Sequence, residues 1–214
     1  MKLFYSPASP YARKVRAAAI ELGLGDRLAL EVTDVVPTKP NRAYAAAHNP
    51  LRKIPALLTD DGTTLYDSTV LCEYLDNLAG GGRIIPREAP HRWRVSTDHA
   101  LAQGMCDAAI LIRYEMVVRP QEYRWPSWID DQWDRIEAGL QWFSQNAAQL
   151  DEPLNVAHLA LGSLLGYLDF RMPERAWRSR FALLTEWFAR LERRPSFQQT
   201  RPVPAPAAPA PGVK

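Results

Sequence analysis

The first eighty residues combine two apolar periodicities. Large apolar side chains occupy every second position over residues 28–32, which is typical of a strand. Residues 15–22 instead place apolar side chains at i, i+3, i+4 and i+7, the spacing of one helical face. Two short apolar runs around Asp60-Asp61-Gly62 predict a hairpin. Together the patterns predict the order βαβαββα, with strands near 2–5, 28–32, 55–58 and 64–66 and helices near 10–22, 41–48 and 68–78.

The rest of the chain follows a helical period throughout. Four segments each carry one apolar face, at residues 101–112, 133–143, 161–168 and 184–191. The sequence Arg193-Arg194-Pro195 indicates where the last of these helices stops. We therefore expect an all-α bundle whose final apolar face lies at residues 184–191.

Composition divides the chain at the same place. Gly80-Gly81-Gly82, followed by Pro86 and Pro90, is typical of a linker, and all seven tryptophans lie after it. Over residues 202–211, five prolines are interleaved mostly with alanine, a composition that cannot bury a core. We predict an α/β domain at 1–79, a linker at 80–87, an all-helical domain at 88–200 and a disordered tail at 201–214.

Charge and hydropathy argue against several classes of protein. The 26 Lys+Arg and 24 Asp+Glu residues leave a net charge of +2, and the scattered basic residues do not favour a nucleic-acid partner. The uncharged stretch between Glu152 and Asp169 is too short and too polar to span a bilayer. The first residues lack the apolar core of a signal peptide, so we expect a cytoplasmic protein. Cys72 and Cys106 lie in no metal-ligand pattern, and no metal is implied.

The first strand leads into a helix through a sequence suited to an anion. Ser9 is expected at the N-cap and Pro10 at the first helical position. The Ser9 hydroxyl then lies beside unpaired backbone N–H groups and the positive end of the helix dipole, where it can stabilise a thiolate. On this feature alone, a cap with no further role is the better explanation of Ser9.

Four motifs carry a resemblance to a known family. Ser9-Pro10-Tyr11-Ala12, within the first motif, resembles the C-P-Y-C of glutaredoxins with both sulfurs replaced. In chain order, the four motifs lie at residues 6–16, at 49–57, at 66–69, and at 159–162 together with 166–171. They resemble the soluble glutathione S-transferases over nearly the whole chain apart from the tail. The residues within the motifs are most similar to those of the bacterial serine-type branch. The resemblance implies a thioredoxin-like N-terminal domain and a homodimer.

The resemblance also implies a glutathione site. The backbone of Ile54, before a cis Pro55, would pair with the cysteinyl part of glutathione, which is the co-substrate. Asp67 would face the γ-glutamyl ammonium, and Ser68, as the cap of the following helix, would suit the γ-glutamyl carboxylate. Lys53 matches a position that often reaches the glycyl carboxylate, although a solvated lysine explains it nearly as well.

The implied reaction uses Ser9 as the catalytic residue. Its hydroxyl would activate the glutathione thiol for attack on a hydrophobic electrophile, with no metal. In the family, the electrophile pocket is built from the first loop and the helix after the linker. Tyr11, Met105, Ile112 and Tyr114 are our candidates for this pocket, although core or surface packing explains each of them equally well.

Two alternatives and one departure remain open. The fold also serves glutathione-dependent isomerases of the maleylacetoacetate type, but their paired serines and cysteine are missing here. It serves non-catalytic binding modules of the stringent starvation protein type as well, against which the retained site residues argue. The sequence departs from the family where Asn155-Val156-Ala157-His158 replaces a Ser/Thr-x-x-Asp capping box. Because His158 cannot accept backbone N–H bonds as a carboxylate does, this departure concerns the stability of the helix and not catalysis.

Overall fold

The first half of the chain forms a mixed sheet with three helices. In the computed structural model, which describes residues 1–204, the strands pair in the order β2-β1-β3-β4. The elements are β1 Lys2–Tyr5, α1 Pro10–Glu21, β2 Ala29–Val32, α2 Arg42–Ala47, β3 Ala56–Leu58, β4 Thr64–Leu65 and α3 Ser68–Leu78. Strand β1 is parallel to β2 and antiparallel to β3. The predicted βαβαββα order and the thioredoxin-like fold class are confirmed.

The register of the sheet brings three chain segments to the same end of its strands, which we call the sheet edge. Phe4 near the end of β1 pairs with Ala56 at the start of β3, and Leu57 pairs with Leu65 at the end of β4. The loop after β1, the residues before β3 and the residues after β4 therefore lie side by side.

The second half is helical, as predicted. Its helices are α4 His91–Val117, α5 Pro126–Gln145, α6 Val156–Arg171, α7 Trp177–Arg180, α8 Ala182–Leu191 and α9 Pro195–Gln199. Residues 156–168 of α6 are all buried, because α4, α1 and α8 surround this helix. Within residues 1–204, no helix is both long and apolar enough to cross a membrane. The predicted domain limits around 80–87 stay a prediction.

Helix α9 corrects the prediction that the last apolar face lies at 184–191. Pro195 begins this helix instead of ending the helical part, and Phe197 is only 1% exposed. The segment is held onto α1 by Glu21, which accepts bonds from the Arg194 guanidinium at 2.8 and 2.7 Å and from the Ser196 hydroxyl at 2.5 Å. The end of the helical half thus packs against the first helix of the chain.

The start of α6 is capped by the residue before it, although His158 stands where a capping carboxylate was expected. The Asn155 side chain accepts hydrogen bonds from the N–H groups of Ala157 and His158, at 3.0 and 3.2 Å. The His158 ring bonds the Gln149 carbonyl at 3.0 Å and packs edge-on against Trp187. An asparagine cap therefore replaces the capping box, and the histidine ring packs into the core.

Candidate functional site

Ser9 begins α1 with its hydroxyl at the end of the helix. Its Oγ accepts a hydrogen bond from the Ala12 N–H at 3.2 Å, which is the geometry of an N-cap. This bond uses a lone pair of the oxygen and leaves the hydroxyl hydrogen as a donor. Ser9 is partly exposed, so a ligand can reach it. The predicted cap is confirmed, and the catalytic role stays a prediction.

The loop before β3 carries the predicted cis bond. The Ile54–Pro55 peptide is cis. The ladder between β1 and β3 begins only at Ala56, so the N–H and C=O of Ile54 lie outside it at the sheet edge. These backbone groups therefore stand next to the loop that carries Ser9.

The chain just before Ile54 is braced by side chains of the first half. The Lys53 carbonyl accepts hydrogen bonds from the Tyr44 hydroxyl and from the Asn49 side chain, each at 2.9 Å. Asn49 and Tyr44 are buried, whereas Lys53 itself is exposed. The backbone of this loop is thus held in place while the lysine side chain remains available at the surface.

Asp67, rather than Ser68, caps the helix that follows the hairpin. Asp67 is the N-cap of α3, since its carboxylate accepts a bond from the Thr69 N–H at 3.0 Å. Ser68 is the first helical residue and is 1% exposed. The expectation that Ser68 caps this helix is wrong by one residue. A carboxylate at the exposed cap and free N–H groups behind it still stand beside the start of β3.

The four candidates for the electrophile pocket divide into two pairs. Tyr11 donates a hydrogen bond of 2.5 Å to Asp107 on α4, and burial together with this bond raises the pKa of Tyr11. Tyr114 is 39% exposed. Met105 and Ile112, by contrast, are 2% and 4% exposed and belong to the core. Of the four candidates, Tyr114 is therefore exposed and Tyr11 is half-buried against α4, while the other two lie in the core.

Comparison with known proteins assigns the family. The N-terminal domain of the glutathione S-transferases matches residues 3–83, and their C-terminal domain matches residues 126–190. A glutathione transferase family member from Pseudomonas fluorescens Pf-5, solved with bound glutathione, is 42% identical, with 94% of this chain and 98% of that chain covered and a TM-score of 0.91. The chain belongs to the glutathione S-transferase family.

Two further relatives of this glutathione S-transferase are similar over almost the whole chain. A family member from Pseudomonas fluorescens Pf-5 with bound S-(propanoic acid)-glutathione is 41% identical, with 95% of this chain and 100% of that chain covered and a TM-score of 0.87. The uncharacterized GST-like protein YibF of Escherichia coli (strain K12) is 28% identical, with 94% of this chain and 98% of that protein covered.

A buried lysine within the first motif of this glutathione S-transferase has contacts that the sequence did not predict. Lys14 is 1% exposed, and its ammonium donates to Gln103 at 2.8 Å and lies 2.9 Å from the His99 ring nitrogen. Because an ammonium can only donate, His99 accepts and is neutral. Burial, aided by the charge of Lys14, lowers the pKa of His99 to about 3. The sequence shows only that Lys14 follows Ser9 by five residues, and it does not show the partners of Lys14 on α4.

A cavity of about 310 Å³ opens where α3 meets α4. It extends from the start of α3, one residue beyond Ser68, to the part of α4 that bonds Tyr11. Its polar lining includes Thr69, Glu73, Arg92, His99, Gln103 and Asp107. The cavity thus runs along α4 from the capped end of α3 to Asp107, whose carboxylate accepts the Tyr11 bond.

Proposed function

We propose that this protein is a glutathione transferase of the serine type, with Ser9 as the residue that activates the thiol. The observation that carries the proposal is the Ser9 hydroxyl, which caps α1 through its lone pair and keeps its hydrogen free to donate. A donor at a helix N-terminus favours a thiolate over a thiol and lowers the thiol's pKa. Binding of glutathione by related structures supports the same substrate here.

The sheet edge supports a position for each part of glutathione. We propose that the Ile54 backbone pairs with the cysteinyl unit and that Asp67 meets the γ-glutamyl ammonium. The N–H groups behind Ser68 suit the γ-glutamyl carboxylate, and Lys53 can reach the glycyl carboxylate. The register that joins β1, β3 and β4 supports this arrangement, because it puts all three segments at one edge.

We propose that the substituent on sulfur lies on the side of Ser9 that faces the helical half. One relative holds S-(propanoic acid)-glutathione, in which the sulfur carries a short acid. We propose that this chain likewise binds glutathione conjugates, with the substituent directed past Ser9 toward Tyr11 and Tyr114. Met105 and Ile112 act from behind, as packing for that wall.

A homodimer remains part of the proposal. Leu51 and Trp93 are 64% and 65% exposed, and Val70 on α3 is 43% exposed. Such side chains are common at subunit contacts. Sedimentation equilibrium would give twice the mass of the chain if the proposal holds. The cytoplasmic location also stays a prediction.

The experiment that tests the proposed function compares two serines of one loop. Ser9→Ala removes the donor at the helix end, whereas Ser6→Ala removes a nearby hydroxyl that only accepts from the Ala8 N–H. A bond from a hydroxyl to a charged sulfur contributes about 1.5–3 kcal/mol, so turnover of an aryl halide should fall roughly ten- to a hundredfold in Ser9→Ala. Ser6→Ala should keep its rate.

Binding and thiol ionisation distinguish the remaining possibilities. The ultraviolet absorbance of bound glutathione against pH should show a raised thiol pKa in Ser9→Ala. An unchanged pKa with full activity would leave Ser9 as a cap only. Glutathione binding without turnover of any electrophile would favour a binding module, and turnover of maleylacetoacetate alone would favour the isomerase.

A further inference from the structure

Helix α1 shows where the C-terminal half of α4 lies. Lys14 bonds Gln103 of α4, and Tyr11, one turn nearer the start of α1, bonds Asp107. Moving toward the N-terminus of α1 therefore moves toward the C-terminus of α4. Residues of α4 after Asp107 lie beyond the end of α1 that Ser9 caps.

Helix α6 reaches the same place from the other side. Arg83 bonds the C-terminal end of α1, and the N–H of Val156 at the start of α6 donates to the adjacent Ile84 carbonyl. Gly166, near the end of α6, lies against the guanidinium of Arg13, near the start of α1. Helix α6 is therefore antiparallel to α1, and its last residues also approach the capped end of α1.

Two arginines continue the buried faces of these helices. Arg113 follows Cys106 by seven residues and Ala109 by four, so it shares their face of α4. Arg171 follows Tyr167 by four residues and shares its face of α6. Cys106, Ala109 and Tyr167 are all buried, and both arginines are half-buried. We therefore infer that the two guanidiniums lie at one end of the interface between α4 and α6.

Neither arginine has a carboxylate partner within residues 1–204. No ion pair or hydrogen bond joins Arg113 or Arg171 to any side chain of that range. Three of the acidic residues nearby in sequence are engaged elsewhere: Asp107 by a tyrosine of α1, Glu115 by an arginine one turn later, and Asp169 by a tryptophan and an arginine of α7. Two cations thus face the same region without an internal counterion.

The charges of the two guanidiniums affect each other and the same tyrosine. Burial lowers the pKa of Arg171, and the charge of Arg113 lowers it further. Burial raises the pKa of Tyr167 to about 12, against the opposing effect of both arginines. Arg171 also stacks on Phe170, with its guanidinium carbon 4.1 Å from the ring centroid. An anion between the two guanidiniums would relieve their mutual repulsion.

We propose that Arg113 and Arg171 form an anion-binding end of the electrophile site, so that the preferred electrophiles carry a carboxylate. This inference rests on the proposed function. The planar guanidinium forks match a carboxylate in two parallel hydrogen bonds, and the half-buried position strengthens them. Tyr11 and Tyr114, the two pocket candidates outside the core, can cover the apolar body of the same molecule. The substrate class is therefore an amphipathic acid rather than a purely apolar compound.

A chloronitrobenzoate illustrates the step. The glutathione sulfur forms a bond to the ring carbon that bears chlorine, the carbon–chlorine bond breaks, and chloride leaves with the electron pair. The thiol proton passes to solvent before the attack. The carboxylate takes no part in the bond changes, so it is free to bind the two guanidiniums throughout.

The test uses matched electrophiles that differ only in charge. Rates with 4-chloro-3-nitrobenzoate and 4-chloro-3-nitrobenzamide are each divided by the uncatalysed rate with glutathione. We expect the native protein to favour the acid. Arg113→Gln and Arg171→Gln should each lower kcat/KM for the acid roughly tenfold and leave the amide within about twofold. Arg171→Lys should recover part of the loss.

The control removes an equal charge elsewhere. Arg135 on α5 is exposed and pairs with Asp131, so Arg135→Gln should leave both rates unchanged. Melting temperatures of all variants exclude a loss of folded protein as the cause. If the acid-to-amide ratio of the native protein equals that of Arg113→Gln and Arg171→Gln, the inference is wrong.

A binding measurement separates this inference from the proposed function. Calorimetry compares S-(2-carboxyethyl)glutathione with its carboxamide, and neither needs to react. Tighter binding of the acid that both arginine variants abolish supports the inference even if turnover is absent. Equal binding of the two conjugates, with normal turnover of the amide, overturns the inference and leaves the proposed function standing.

Discussion

The sheet edge and the seam between α1 and the helical half build opposite walls of the proposed site in different ways. At the sheet edge, the groups in position are backbone atoms and helix caps: the Ile54 amide, the Ser9 hydroxyl and the Asp67 carboxylate. Along the seam they are long side chains that cross between the two halves. A wall of backbone and caps depends on local geometry, whereas a wall of long side chains depends on how the halves pack.

Two neighbours on α1 illustrate the seam. Lys14 is directed to α4, where it meets His99 and Gln103. Arg13 is directed to α9, where it donates to the Phe197 carbonyl at 3.2 Å and lies 4.8 Å from the Phe197 ring centroid. Both are buried cations. Changes at the seam should therefore affect stability first, and changes at the sheet edge should affect ligand binding first.

The largest effect is expected from Phe197→Ala. The ring is 1% exposed, and it packs so closely on α6 that a methyl group at Gly162 would lie 2.7 Å from it. Removing a buried phenylalanine costs about 3–5 kcal/mol of unfolding free energy. Denaturant titration checks the value, with the half-exposed Leu183→Ala on α8 as the control. Equal losses in both variants would mean that α9 does not hold the seam.

Acid should weaken the seam through His99. Its pKa is about 3 in the folded protein and about 6.5 when unfolded, so between these values the unfolded chain binds the extra proton. The free energy of unfolding should therefore fall as the pH decreases below 6.5, by about 1.4 kcal/mol per pH unit at most. His99→Gln should flatten this slope, and the exposed His91→Gln should not. If the native protein, His99→Gln and His91→Gln all showed the same slope, His99 would not be the source of the pH dependence.

At the sheet edge, Asp67→Asn separates the cap from the charge. Asparagine caps a helix as well as aspartate does, so the melting temperature should stay the same. The loss of one charge-assisted bond to an ammonium should weaken glutathione binding by about 1 kcal/mol, or roughly fivefold. The rate at saturation should change less, because the ammonium lies far from the sulfur. An unchanged dissociation constant would remove Asp67 from the site.

The same contrast explains how far the sequence could predict the molecule. Ser9 before Pro10, and the hairpin around Gly62, are local signals, and the structure confirms the cap and the strands that they predict. The cap of α3 was misplaced by one residue because Asp67 and Ser68 are both good capping residues. Short stretches of sequence were thus enough to predict almost all of the residues at the sheet edge.

The seam could not be predicted in this way. Phe197 is a single apolar residue after Pro195, and its contacts with α1, α6 and α8 bury it. Met105 and Ile112 fit a helical stripe whose exposure depends on which helices surround it. In the sequence, Arg113 and Arg171 cannot be distinguished from solvent-exposed arginines. Their half-buried position depends on how α4 and α6 pack. Their surroundings follow from tertiary packing, which a single sequence does not display.

The smallest effect is expected where the chain leaves the seam. Residues 205–214 of the predicted tail lie outside the described residues, but Val203 donates a long hydrogen bond of 3.4 Å to the Pro7 carbonyl in the Ser9 loop. One weak, half-exposed bond contributes at most about 0.5 kcal/mol. Truncation after Pro204 and truncation after Arg201 should therefore give the same melting temperature and the same glutathione affinity within error.

The two truncations differ only in residues 202–204, so a change that appears in the shorter chain alone belongs to the contact with Pro7. If that change is confined to KM for the electrophile, these residues cover the electrophile site, and our prediction that the tail is dispensable is wrong.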